Sequence, residues 1–418
     1  VSASIDLFAL VRKKVVITSA WLSDFEIHLS KDSTNAPLNI QYIIEAFKSK
    51  DDTPKSQIDI KLSSVNITNG KIYYDIKDKL VIEDSNRFDI NHIAISDLQA
   101  KLSLKSLTSD SLNIQIKKLG MKEKSGLEIS NLLCRLVTNE KKISVRGFNL
   151  QLPASNIEFS KCEIDLTPTN DTLKVLDYAT IDCLIAESEI APQDIAALVP
   201  ALKNFDDKLS LKGYINGSVD NLSISDLTIN YGKSMHLVSN SEIKDIRYPE
   251  KTYILGSIEE LKVSNTEIES IINNFSKGKT TLPPQLKKLG TILFEGDISG
   301  YLKQLTAFGS FDTDLGVVNT DVLFGFNHQK GVSSYIQGKI YTSDFNLGKL
   351  LDNNDLNKTS LNINLSLEKP ANSKIRGKAK GDIFNLDYKG YSYKDISLNA
   401  NYDGLRMDGE VSIDDPNG

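Results

Sequence analysis

The chain has 418 residues, a net charge of −6 and 25% charged residues, with Lys and Asp/Glu interspersed along its whole length. That balance offers no basic face of the kind nucleic acid requires, so no nucleic-acid partner is expected. No apolar run approaches the roughly 18 to 20 residues that a bilayer-crossing helix needs, and no signal peptide is expected at Val1. Starting at Val-Ser and stopping at Asp-Pro-Asn-Gly, the sequence reads as a fragment of something longer, with an anchor or a partner-binding end expected outside it.

The first elements are strand, strand, short helix. Val15-Val16-Ile17 and the alternation Phe25, Ile27, Leu29 are β-type, whereas Leu38 to Phe47 puts Ile40, Ile43, Ile44 and Phe47 on one helical face behind Pro37. After a charged loop from Lys48 to Ser56 the alternation returns at Ile58, Ile60 and Leu62, at Val65 and Ile67, and at Ile72, Tyr74 and Ile76. It continues through Phe88 to Ile95, Leu112 to Ile116, Ile143 to Leu152, Ile157 to Leu166 and Ala179 to Ile185, with turns expected at Ser64, Asn69-Gly70 and Asn91. Strands so closely spaced imply a sandwich, a barrel or an elongated repetitive sheet.

Internal repetition favours the repetitive sheet. Gly213-x-x-x-Gly217 in LSLKGYINGSVDNLSI recurs as Gly296-x-x-x-Gly300 in ILFEGDISGYLKQLTA, Leu222 recurs at the same offset as Leu305, and a weaker copy has Gly377-x-x-x-Gly381. Glycines four apart share one face of a strand and relieve crowding where the sheet bends or another backbone approaches. A phosphate-cradling loop would need a following helix, and none is expected there. Short helices are expected after Ser188, Ser264 and Ser343, in APQDIAALVPALKNF, NTEIESIINNF and DFNLGKLLDNND. Helices this short must dock on the sheet or plug an opening to be stable.

One side of each strand is densely apolar. The candidate groove-lining positions are Ile58, Ile60 and Leu62; Leu209, Leu211, Ile215 and Val219; Ile292, Phe294, Ile298 and Leu302; and Leu361, Ile363 and Leu365. Two such faces can close on each other as a dry sandwich. The scarcity of helices and the lack of long crossovers argue instead for one open antiparallel sheet, which must curl into a trough when it has many strands. An apolar trough suits acyl chains, at about 0.8 kcal/mol per buried CH₂.

An enzyme is not expected, and neither is a cofactor. The histidines His28, His92, His236 and His328 are scattered and lack metal-ligand spacing, and no nucleophile elbow or Cys/His pairing has supporting context. Cys134, Cys162 and Cys183 are read as buried or neutral thiols, too few and too far apart for a disulfide framework. His28, between Ile27 and Leu29, reads as a polar-face residue, and the acidic pairs Asp51-Asp52 and Asp414-Asp415 as solvated loop. Trp21 reads as a core or rim residue more readily than as a membrane anchor. Arg12-Lys13-Lys14 reads either as a solvated turn or as a contact to anionic headgroups.

These blocks resemble a known family. IDLFALVRKKVVITSAWLSDFEIHLSKD, with its following PLNI, resembles the N-terminal signature of AsmA-like proteins. IAESEIAPQDIAALVPAL, LKGYINGSVDNLSI, LPPQLKKLGTILFEGDISGYLKQLTAFGSFDTDLG and GKIYTSDFNLGKLLDN resemble the TamB (translocation and assembly module) family of Bacteroidetes-type bacteria, over an N-terminal to middle fragment. The resemblance implies a mainly β, elongated, curved antiparallel groove with a few short helices. Its parts would be an N-terminal cap with a short helix at 1–55, groove repeats at 56–205, two repeats with short helices at 206–280 and 281–355, and a truncated repeat at 356–418. It also implies a periplasmic bridge, anchored in the inner membrane in the full-length protein, that passes phospholipid toward the outer membrane with a TamA/BamA-family partner and supports outer-membrane biogenesis and protein secretion. In that scheme Leu38–Phe47 shapes the membrane-proximal mouth. The alternative from another functional class is a structural, adhesion or chaperone-type β-repeat protein whose apolar face is packed against itself.

Overall fold

The computed structural model describes residues 2–5, 15–41, 58–107, 111–166, 179–275, 281–282, 284–327, 332–370, 374–404 and 406–416. The protein is mainly β, with 67% strand and 8% helix, as the alternation in the sequence requires. It divides into two compact units, Val1–Leu211 and Lys212–Gly418.

The first unit contains β1 Ser2–Ile5, β2 Val15–Ser23, β3 Glu26–Lys31, β4 Ile58–Ile76, β5 His92–Leu107 and β6 Ser111–Glu123. These are followed by β7 Glu128–Ile129, β8 Asn131–Asn139, β9 Lys142–Gln151, β10 Asn156–Asp165 and β11 Thr180–Ile190. The hydrogen-bonded ladder runs β1-β2-β4-β5-β6-β8-β9-β10-β11, an open curved sheet in which every pair is antiparallel except at β4. There, β2 and β3 lie parallel to successive stretches of the long β4. A parallel return needs a crossover, and it falls between Asp32 and Gln57. Of the helix expected there, Leu38–Gln41 form a turn that begins a helix at Gln41, and the remainder lies outside the described residues. Asn39 ties this turn to β3, accepting from Ser30 N at 3.0 Å and donating to His28 O at 2.9 Å.

The second unit begins near β12, Leu209–Ser218. It continues with β13 Asn221–Tyr231, β14 Met235–Lys244, β15 Tyr253–Ser264, β16 Thr291–Tyr301, β17 Gln304–Thr313 and β18 Gly316–Asn327. The last strands are β19 Val332–Asn346, β20 Leu356–Pro370, β21 Arg376–Tyr388, β22 Tyr391–Asp403 and β23 Met407–Ile413. From β13 onward each strand pairs antiparallel with the next, an up-and-down meander without a crossover.

The helices α1 Pro192–Ile195, α2 Asn265–Phe275, α3 Pro284–Lys287 and α4 Leu347–Leu351 all occupy connections between strands. Only one of the expected serine caps forms: Ser264 Oγ accepts from Glu267 N at 3.2 Å and starts α2. Ser188 is instead fully buried within β11, where its hydroxyl accepts from Glu158 N, and α1 starts at Pro192 with no side-chain cap. At α4 the cap is Asn346, whose Oδ1 accepts from Lys349 N, because β19 runs straight through Ser343. Phe88 to Asn91 is also not strand. Asp89 is buried there, its carboxylate accepting from Ile82 N and Asn91 N at 3.0 Å each.

Asn69-Gly70, expected as a turn, lies inside β4. Asn69 takes a left-handed φ of 51°, and the pairing with β5 slips by one residue there. Asp24 between β2 and β3 and Asp97 in β5 have the same conformation, and Asn69 Nδ2 donates to Asp24 Oδ1 at 2.7 Å. Asn69 and Asp97 are bulges, each an extra residue that bends the strand and raises its twist. Asp226 and Asp344 repeat the device in β13 and β19, and Asp395 in β22 has the same left-handed conformation without a slip in its pairing. The residue after each of these left-handed aspartates is apolar, and Leu98, Phe345 and Ile396 at three of these positions are buried. Ser-Asp followed by Leu or Phe, at 96–98, 225–227 and 343–345, is therefore a sequence signal for the bulge that alternation alone does not carry.

The repeated glycines do admit close backbone approach. A Cβ on Gly296 (φ 152°) would lie 2.2 Å from Phe308 O, and one on Gly381 (φ 158°) 2.1 Å from Asn362 O. Replacing either with Ala should therefore cost more than the ~1 kcal/mol of an ordinary surface change, read as a lower urea midpoint in equilibrium unfolding.

The buried Asp89 gives a pH test. Burial raises its carboxyl pKa, but the two backbone N–H donors and the charges of His92 and Lys124 outweigh that and hold it below the ordinary carboxylate value. A depressed folded-state pKa stabilises above the unfolded pKa of about 3.9, and that stability is lost as pH falls through the folded value. Asp89→Asn should thus lower stability at neutral pH and flatten the acid limb of a stability–pH curve.

Candidate functional site

Lateral register assembles the alternating residues of the second unit into one continuous surface. Ile298 on β16 stands opposite Ala307, and the row continues through Val322, Gly338, Leu365, Ala379, Ala400 and Gly409. A second row runs Phe294, Phe311, Val318, Thr342, Leu361, Ile383, Ile396 and Ile413. The intervening row starts at Gly296 and includes Ile340, Ile363 and Leu398, and the one beyond starts at Gly300 and includes Phe324, Leu367 and Tyr402. None of these positions from β16 to β23 carries a charge. The opposite face holds Glu295, Asp297, Asp321, Lys339, Lys378, Lys380 and Glu410.

The uncharged face is packed at its centre and open toward one edge. Phe294 is 2% exposed, its ring 4.4 Å from that of Phe311 and lying over Gly309, where a Cβ would touch it at 2.9 Å. Ala307, Val322 and Ile363 are also buried. Along the Gly300 row and the last strands, by contrast, Phe324, Tyr402, Val411 and Ile413 are 37%, 43%, 61% and 51% exposed. Every substantial strand–strand contact is between ladder neighbours.

The rim formed by the α2, α3 and α4 connections is polar. Glu267 is buried and accepts from Lys233 N, Asn265 N bonds Gly290 O, and Asn346 N bonds Leu315 O. Lys288 bridges to Leu350 O and to Asp352, beside an open cleft of about 960 Å³ that also includes Asp355 and Lys389. These contacts bind successive loops to one another.

In the first unit the apolar row Leu104, Ile114, Leu136, Val145, Cys162 and Cys183 crosses β5 to β11. At its end Cys162 and Cys183, expected as thiols, are directly opposed on β10 and β11 with Cα atoms 4.1 Å apart and form a disulfide. Their separation of 21 residues is the span of a strand, a connection and a strand, so two positions remote in sequence become adjacent. Cys134 remains a free thiol, with burial pushing its pKa up. On the opposite, polar face Glu163 accepts from Lys142 at 2.8 Å and lies 3.3 Å from Lys161; these cations hold its carboxyl below the usual range.

Of the expected groove positions, Phe294 and Ile363 are buried, and Ile292, Ile298, Leu361 and Leu365 are half-buried on the uncharged face. Leu209, Leu211 and Ile215 are half-buried in β12. Val219 and Leu302 fall just beyond β12 and β16, in hairpin turns, with Leu302 45% exposed. Ile58, Ile60 and Leu62 lie in β4, but their side chains are outside the described residues, as are Arg12-Lys13-Lys14, Asp51-Asp52 and His328. His28 projects to solvent, bonded to Glu26 and stacked on Tyr73, and Trp21 is 42% exposed on β2. His92 is buried, with Nδ1 2.5 Å from Asp75 Oδ1 and Nε2 3.1 Å from Lys79 O, so it anchors the loop after β4. No described helix is long and apolar enough to cross a membrane. No protein-family model, curated protein or solved structure matches the chain.

Reduction of the Cys162–Cys183 bond should cost about 3 kcal/mol, the chain-entropy value for a loop of this length, and lower the melting temperature measured with and without a dithiol. A Cys162→Ala/Cys183→Ala double variant should melt at the same temperature in both conditions.

Proposed function

We propose that the chain handles lipid, with phospholipid acyl chains lying along the uncharged sheet face while the charged face keeps the protein in water. The observation that carries this reading is the lateral continuity of that face from β16 to β23 through four rows that hold no charged position, open to solvent at its margin. At about 25 cal/mol per Å² of apolar surface removed from water, an exposed face of this kind gains most from a ligand that is itself a long, uncharged chain. A catalytic reading has no comparable support: the described histidines, His28, His92 and His236, are each engaged with a nearby carboxylate or amide oxygen, well apart in the sequence.

The AsmA-like and TamB resemblance supplies the wider setting. In it the chain is the periplasmic portion of an inner-membrane-anchored bridge that passes phospholipid to the outer membrane alongside a TamA/BamA-family partner. The Cys162–Cys183 disulfide accords with an oxidising compartment such as the periplasm.

A photo-crosslinking residue at Ile298, tested in cells, should yield a lipid adduct, whereas one at Asp297 on the opposite face should not. Labelling of neither, or of both equally, overturns the reading. Ile298→Asp should abolish lipid labelling from a probe at Leu365 and leave the circular dichroism spectrum unchanged. If it unfolds the protein instead, the face is a sealed core and the self-packed β-repeat alternative holds.

A further inference from the structure

On the polar face of the first unit, cations are stacked against cations. Arg135 on β8 is directly opposite Arg146 on β9, and Arg146 is directly opposite Lys161 on β10. Lys101 on β5 is likewise opposite Lys118 on β6, and Lys118 is the next residue on that face after Gln115, the partner of Arg135. Like charges directly opposed across a ladder destabilise a sheet. A sheet tolerates them where carboxylates are interposed, as Glu163 and Asp182 are at Lys161, but none is paired with the other four cations. Among the described residues Lys101, Lys118, Arg135 and Arg146 make no ion pair. The nearby acids are already engaged: Glu163 with Lys142 and Lys161, Asp182 with Lys161, and Glu158 with Asn149 and Asn156. Arg135 has only a long contact from Nε to Asn113 Oδ1 at 3.4 Å. Gly147, at φ 57°, lies beside Arg146 where the pairing of β9 with β8 slips by one residue, so Arg146 and Asn149 share the polar face while Phe148 turns to the apolar one.

We infer that this stripe is a docking surface for anionic phospholipid headgroups. Adjacent guanidinium forks match the oxygens of a phosphate, which supplies the negative charge the sheet withholds. From β5 to β10 the stripe crosses four ladder intervals, ~19 Å at the usual strand spacing, wide enough to meet several headgroups at once. A peptide could not add to it as a strand, because β5, β6, β8, β9 and β10 are all paired on both sides. No aromatic side chain stands among the cations to stack on a nucleobase. The inference stands independently of whether the uncharged face of the second unit carries acyl chains.

The test is co-sedimentation of the full chain with vesicles of phosphatidylcholine alone or of equimolar phosphatidylcholine and phosphatidylglycerol, with single-stranded DNA as competitor. Binding should require the anionic lipid and weaken with salt. Arg135→Gln and Arg146→Gln should each reduce it roughly five-fold. Lys142→Gln, on the same face but committed to Glu163, should leave it unchanged. Because Arg146 is set between two cations, Arg146→Glu should raise the melting temperature of the free protein while abolishing vesicle binding. Equal binding to both vesicles, binding unaffected by the arginine variants, or DNA displacing the vesicles at equal phosphate concentration would each overturn the assignment. A lower melting temperature for Arg146→Glu would do so as well, by showing the pair to be structural.

Discussion

The structure depends on period-two alternation held in register across neighbouring strands. A strand has one apolar and one polar side only as long as nothing shifts its phase, and a sheet has one apolar face only if each strand's phase agrees with the next. Between β16 and β18, and again from β21 to β23, pairing is free of bulges, so Phe294, Phe311 and Val318 fall in line without adjustment. Where a strand must bend, the extra residue would ordinarily invert every side chain beyond it. At Asp97, Asp226 and Asp344 a single left-handed aspartate takes up that residue, and the following Leu98, Leu227 or Phe345 resumes the alternation.

The two faces follow from this constraint in opposite ways. On the uncharged face, small residues such as Ala307, Gly309, Ala379 and Gly381 alternate laterally with Phe294, Val322 and Ile363, so the centre packs while the margin stays open. On the polar face, charges are free to pair, and around β9 to β11 they do so in the network of Lys142, Lys161, Glu163, Asp165 and Asp182. Exposed pairs of this kind contribute little stability each, so the face is tuned more for solubility than for cohesion. Against that background the unmatched Arg135 and Arg146 are a departure the sheet gains nothing from.

Much of the fold was legible in the sequence because alternation is a local signal. The strand class, the open curved antiparallel sheet, the short helices and the close backbone approach at Gly296 and Gly381 follow from residues read a few at a time. What escaped was what depends on pairing. Cys162 and Cys183 are unremarkable until β10 and β11 are aligned, and the opposition of Arg135 to Arg146 exists only in register. The bulges are marked by repeated Ser-Asp-Leu and Ser-Asp-Phe, but a polar residue inside an apolar alternation equally suggests a turn or a helix cap, as at Ser343 and Asn69-Gly70. Leu302 and Val219 fit the period but lie past the strand ends, where period has no meaning.

The central claim is that the apolar face of β16 to β23 is open. It is tested most directly by the reactivity of a cysteine placed at Phe324, in a background with Cys134 replaced by Ala, toward a membrane-impermeant maleimide in the folded state. The account predicts labelling at a rate close to that of a cysteine at Asp321 on the polar face, falling when phospholipid is added. Protection at Phe324 comparable to that of the native buried thiol, with or without lipid, would show the face to be sealed and would contradict the account.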